Sequence, residues 1–140
     1  MKLFDEFKLG HFKLWVLILI AVTSNMPTAI VSTNVASDRV KDTDFALHLS
    51  KAVAETVRKP EQYVMTHVNS NQVMTYSGNQ EPCAFVRIIS IGNLDAGANA
   101  TISARVCGLV EEVYNVPPAR TYIEFVDSER HMFGWNGGTF

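Results

Sequence analysis

Met26-Pro27 carries the most distinctive chemistry in this chain. A methionine ahead of proline is what initiator-methionine removal acts on, and a chain that then begins at Pro27 presents a secondary amine that can serve as a base. The same nitrogen inside a peptide bond has no usable lone pair, because that pair is delocalised into the carbonyl. Other groups are less suggestive. His48, His67 and His131 have no metal-like spacing with one another or with a cysteine and read as surface or packing side chains, so no metal and no other cofactor is expected. Cys83 and Cys107 are too few for a disulfide framework. No glycine-rich phosphate loop is present. Lys59, alone, reads as a cation complementing the dipole at a helix end.

The elements that must hold these residues follow from periodicity. Thr28 to Asn34 is rich in β-branched residues, has no breaker and reads as a strand. Asp38 to Arg58 reads as an amphipathic helix with Phe45, Leu49, Val53 and Val57 recurring every fourth residue, ended by Lys59-Pro60. Tyr63 to Asn69 and Gln72 to Tyr76 read as strands about an Asn69-Ser70-Asn71 turn, and Cys83 to Ile91 as another bounded by Gly92. A second helix, Ala96 to Tyr114, is expected to bury Ile102, Val106, Leu109 and Val113, and Pro117-Pro118 forbids its continuation. Thr121 to Asp127 and a short piece near Met132 to Trp135 complete the strands. The order implies an α+β fold in which two βαβ units form a four-stranded sheet with both helices on one face. Ala84 to Ile89 reads as apolar on both faces, so the far face of the sheet is expected to be buried against other subunits.

The chain has 140 residues, 47% of them hydrophobic, and a net charge of −2, which fits one folded domain and argues against nucleic acid as the main partner. Residues 1–26 stand apart from the 27–140 domain. Lys2, Lys8 and Lys13 precede an apolar run from Leu14 to Val22, the form of a signal peptide. The run is too short for a stable membrane span, which needs about 20 residues. A cut after Ser24 would leave Asn25-Met26 ahead of Pro27, so translation from Met26 is the alternative that frees the proline. Asn99-Ala100-Thr101 is the one Asn-x-Ser/Thr site, and a glycan there would report passage through the secretory lumen.

Pro27-Thr28-Ala29-Ile30-Val31, Thr33-Asn34-Val35, Lys59-Pro60, Tyr63-Val64-Met65, Pro82-Cys83-Ala84, Ser90-Ile91-Gly92, Arg120-Thr121-Tyr122-Ile123 and Gly134-Trp135-Asn136-Gly137-Gly138-Thr139-Phe140 occur in this order. The set resembles the macrophage migration inhibitory factor family of the tautomerase superfamily over residues 27 to 140. The resemblance implies a homotrimer whose sheets enclose a central channel, and keto-enol tautomerisation of small aromatic keto acids of the phenylpyruvate and dopachrome type. It makes Pro27 the base, with Lys59 beside it on the substrate carboxylate, the Ile91 N–H assisting, Tyr122 reaching in from a neighbouring subunit and Trp135 at the pocket. Free thiols, a cell-surface receptor of the invariant-chain type and release by an unconventional secretory route, with a cytoplasmic pool, are implied in the same way.

Three positions depart from the family pattern. Glu124 replaces the asparagine of mammalian members, and Phe133 replaces a small aliphatic residue lining the pocket, so a carboxylate could repel an acidic substrate and a ring could narrow the site. Cys83-Ala84-Phe85-Val86 lacks the second thiol of the family's Cys-x-x-Cys, and no oxidoreductase activity is expected. The alternative to an enzyme is a secreted, cytokine-like ligand whose catalysis is blocked by residues retained ahead of Pro27.

Overall fold

The computed structural model describes residues 26–140, so the expectations for residues 1–25 lie outside the described residues. The main chain runs β1 (Thr28–Thr33), α1 (Arg39–Val57), β2 (Met65–Asn69), β3 (Ala84–Ser90), α2 (Ala96–Tyr114), β4 (Thr121–Asp127), and then a hairpin of β5 (Gly134–Trp135) and β6 (Gly138–Thr139). Four strands form one sheet in the order β2-β1-β3-β4. β1 is parallel to β2 and β3 is parallel to β4, each pair spanned by a helix, while β1 and β3 meet antiparallel at the centre. The doubled βαβ arrangement read from the sequence is therefore the observed one.

Each helix starts and stops where local chemistry dictates. Asp38 accepts the Lys41 N–H and Asp95 accepts the Ala98 N–H, each at 2.9 Å, satisfying N–H groups that a first turn leaves without helical partners. Both helices end on a left-handed residue, Arg58 at φ 56° and Asn115 at φ 55°. The Lys59 N–H then turns back onto the Ala54 carbonyl at 2.9 Å, closing the end of α1.

The core lies between the helices and one sheet face. Phe45, Leu49, Val53 and Val57 of α1 meet Ile102, Val106, Val110 and Tyr114 of α2 over Ala29, Val31, Val86 and Ile88. Val110 and Tyr114 are thus the buried pair in the second half of α2, not Leu109 and Val113, which pack at its flank. The reason is a strict four-residue stripe: the Tyr114 ring stands edge-on to Phe45, 4.9 Å between centroids, and its hydroxyl donates to Asp42 Oδ1 at 2.6 Å.

Two further expectations are corrected. Gln72 to Tyr76 is not a strand. Asn71 N–H bonds Val35 O and Gln72 N–H bonds Thr33 O, both at 3.0 Å, so this segment swings to the end of β1 instead of folding back on β2. Beyond it only a Tyr76–Asn79 bridge forms, and Val73 is fully exposed. Nor is β3 apolar on both faces, since Arg87 alternates onto the face away from the helices with Phe85 and Ile89. Among the described residues no helix is long and apolar enough to cross a membrane.

Candidate active site

β1 begins beside the end of β3. Thr28 pairs with Ile89 in the antiparallel register, and one further step along that register sets Pro27 opposite Ser90. Pro27 is buried, and its carbonyl accepts the Met65 N–H of β2 at 3.0 Å, which fixes the start of the strand from the other side.

Lys59 arrives at the same place from the end of α1. Its side chain is buried, and Nζ donates to the Ile91 carbonyl at 2.6 Å and to Ser90 Oγ at 3.0 Å. Burial pushes the ammonium down to about 8, with Asp127 pulling the other way. The loop that receives Lys59 is held tightly. Gly92 takes φ +75°, which glycine adopts freely, and its N–H donates to Asp127 Oδ1 at 2.9 Å. Asn93 Nδ2 donates to the Val57 carbonyl at 2.8 Å, tying this loop to the terminus of α1, and Ser128 N–H bonds Ser90 O at 2.8 Å. A cation of depressed basicity is therefore held beside the residue that would become a prolyl amine. Such a neighbour disfavours protonation of an amine, the condition a base needs near neutral pH.

Of the residues singled out from sequence, Lys59 and Ile91 meet directly, and Pro27 precedes Thr28, whose register partner Ile89 lies two residues before Ile91. Tyr122 and Glu124 lie further along the β3–β4 pair. Tyr122 pairs with Phe85 near the start of the parallel β3–β4 pair, six residues from Ile91, or about 20 Å at the rise of an extended strand. It is 62% exposed, and its ring meets Tyr76 edge-on at 5.2 Å between centroids. Arg120 sets that contact: its guanidinium lies 4.9 Å from the Tyr76 ring centroid, while Nε and Nη2 donate to the Pro82 and Glu81 carbonyls at 2.8 and 3.0 Å. Glu124 accepts from Arg87 Nε at 2.7 Å. Phe133 and Trp135 gather on Phe140 in the C-terminal hairpin, Trp135 stacked on it at 5.9 Å and Phe133 tilted at 6.4 Å.

Ser90, which accepts from Lys59 Nζ, and Asp127, whose charge favours the ammonium, were not singled out from sequence, although Ser90-Ile91-Gly92 was part of the sequence pattern. Asp127 could not be found by pattern, since it reaches Lys59 only through the β3–β4 register. Asn99 Nδ2 donates to the Leu94 carbonyl at 3.2 Å.

The family model for macrophage migration inhibitory factor matches residues 26–140. This chain belongs to the macrophage migration inhibitory factor family. The factor of Rattus norvegicus is 38% identical over 115 residues, covering 82% of this chain and 99% of that protein. The homolog of Trichuris trichiura is 36% identical over 115 residues and is covered in full, again across 82% of this chain. Among solved structures, the homologue from Prochlorococcus marinus superposes with a TM-score of 0.78 at 37% identity, covering 81% of this chain and 98% of that one. Membership in the migration inhibitory factor family fits the mixed sheet with its two parallel crossovers, and the match ends one residue ahead of Pro27, where the resemblance in sequence also stops.

Proposed function

We propose that this protein is a cytokine-like keto-enol tautomerase of small aromatic keto acids, of the phenylpyruvate and dopachrome type, in which Pro27 is the base whenever it is the amino terminus. The free prolyl nitrogen takes the proton α to the keto acid's carbonyl and returns it at the other end, with Lys59 on the substrate carboxylate. General acid-base catalysis of this kind is worth about 10² to 10⁴-fold. The observation that carries the reading is the buried Lys59 beside Ser90, the register position opposite Pro27.

Tyr122, Glu124, Phe133 and Trp135 complete the pocket from a neighbouring copy in a homotrimer. The register position of Tyr122, six residues along β3 from Ile91, supports its part in this division, as does the exposure of Tyr122 and Trp135. Asp42, by contrast, is a structural carboxylate. Burial acts to raise its pKa, but bonds from Ser70 and Tyr114, with Ser37 and the Lys41 charge, together hold it below the usual range.

A second reading follows from the peptide bond that joins Met26 to Pro27. A form that keeps any residue ahead of Pro27 has an amide nitrogen there and acts as a secreted ligand for a cell-surface receptor, without catalysis. Phenylpyruvate tautomerisation by protein starting at Pro27, compared with protein retaining residues 1–26, tests both. Activity is expected only in the first; equal rates in the two would remove Pro27 as the base.

A further inference from the structure

Arg87 is a cation in the middle of the sheet face away from α1 and α2. It is the direct register partner of Glu124 in the parallel β3–β4 pair, and Nε meets Oε2 at 2.7 Å. The flanking register pairs on that face are Phe85 with Tyr122 and Ile89 with Val126, so the ion pair is set among apolar and aromatic side chains. Its two side chains are 47% and 45% exposed, and an ion pair so open to water adds little to the stability of one chain. Its value changes when the face is covered, because a carboxylate without its cation is costly in a dry, apolar surround.

Glu124 is among the residues assigned to the substrate pocket, two residues along β4 from Tyr122 and exposed on the same face. A pocket with Lys59 and Glu124 alone would carry no net charge and would hold a second carboxylate poorly. Arg87 restores one positive charge. We propose that Arg87 is a specificity-determining residue that neutralises Glu124 and so lets this pocket accept an anionic keto acid. This inference rests on the tautomerase reading above and adds to it the charge class of the substrate that the Arg87–Glu124 pair selects.

The test uses protein starting at Pro27, with phenylpyruvate as the anionic substrate and its methyl ester as the neutral one. Arg87→Ala is expected to raise KM for phenylpyruvate about tenfold, since a bare charge then faces the substrate carboxylate within a few ångströms. The KM for the ester and kcat for both should stay near wild type. Arg87→Ala/Glu124→Gln should return the phenylpyruvate KM to near the starting value, and Arg87→Lys should keep it there. A rise in KM shared equally by acid and ester, or a double variant no better than Arg87→Ala, would assign Arg87 a packing role and overturn the inference. If Arg87→Ala does not fold, Arg87→Gln takes its place in the same comparison. Binding of phenylpropionate, followed by NMR, separates the two levels of the reading: wild-type protein that neither turns over phenylpyruvate nor binds phenylpropionate overturns the tautomerase reading and this inference with it. Active wild-type protein whose KM is indifferent to Arg87 overturns only the inference.

Discussion

The two ends of the β3–β4 pair are built on different terms. At the end near Ser90, Lys59 is 6% exposed, its Nζ is bonded to Ser90 and Ile91, and Gly92, Asn93 and Asp127 stitch the surrounding loop to α1 and β4. At the start, Tyr122 stands 62% exposed against the ring of Tyr76, with Arg120 over that ring and the exposed Arg87–Glu124 pair further along the face. In the proposed reading, the first end is the pre-organised half of the site within each chain. The second presents an exposed tyrosine pair, the surface that the proposal assigns to a neighbouring copy.

Damage at the Lys59 end should therefore be the more severe. Lys59→Ala removes a charge-assisted contact worth about 1.5 to 3 kcal/mol, so kcat/KM for phenylpyruvate should fall by roughly ten- to a hundredfold, mostly through KM. Unchanged kinetics would return Lys59 to the role of a helix-end cation. The same residue sets a pH dependence. Its ammonium, lowered to about 8, loses its charge as pH rises through that value, and kcat/KM for an anionic substrate should decline there in wild type but not in Lys59→Met. The stability term has its own sign. Between about 8 and the ordinary lysine value of 10.5 the unfolded chain holds a proton that the folded one has released, so wild type should gain stability relative to Lys59→Met as pH rises through that window.

A smaller effect, confined to folding, is expected away from both ends. Tyr114→Phe removes a bond to Asp42 that spans α1 and α2, while the Ser70 hydroxyl continues to donate to the same carboxylate at 2.6 Å. Urea unfolding should show a loss of about 1.5 to 3 kcal/mol, with kcat/KM at 25 °C unchanged. A change in kcat/KM without loss of stability would mean that the helix pair communicates with the site.

Legibility in the sequence followed the range of the forces involved. α2 spans Ala96–Tyr114 and β4 spans Thr121–Asp127, as read, because Asp95, Asn115 and the prolines that follow are local signals. The path of Gln72 to Tyr76 was not legible, since it depends on Asn34, whose amide bonds the Gln80 and Glu81 carbonyls and the Cys83 N–H more than 40 residues away. Val110 and Tyr114 displaced Leu109 and Val113 from the core for a similar reason: several apolar residues share that side of the helix, and the position of α1 selects among them. In the site, Pro27, Lys59 and Ile91 were visible through the family pattern. The contacts of Ser90, Asp127 and Arg87 emerge only from strand register. Arg87 stands directly opposite Glu124 and pairs with it.

The central claim is that one working site takes Pro27 from one chain and Tyr122 from another, and mixing two damaged proteins tests it most directly. Pro27→Gly and Tyr122→Ala, each starting at position 27, are expected to be poor tautomerases alone. Refolded together at equal concentration, random trimers place an intact Pro27 beside an intact Tyr122 in about a quarter of sites, given a cyclic arrangement in which each pocket spans two chains. The account predicts phenylpyruvate tautomerase activity near a quarter of wild type, well above the mean of the two separate proteins. Activity that stays at that mean in assemblies shown to contain both chains would contradict it, and would place Pro27 and Tyr122 in the service of the same chain or leave Tyr122 outside the site.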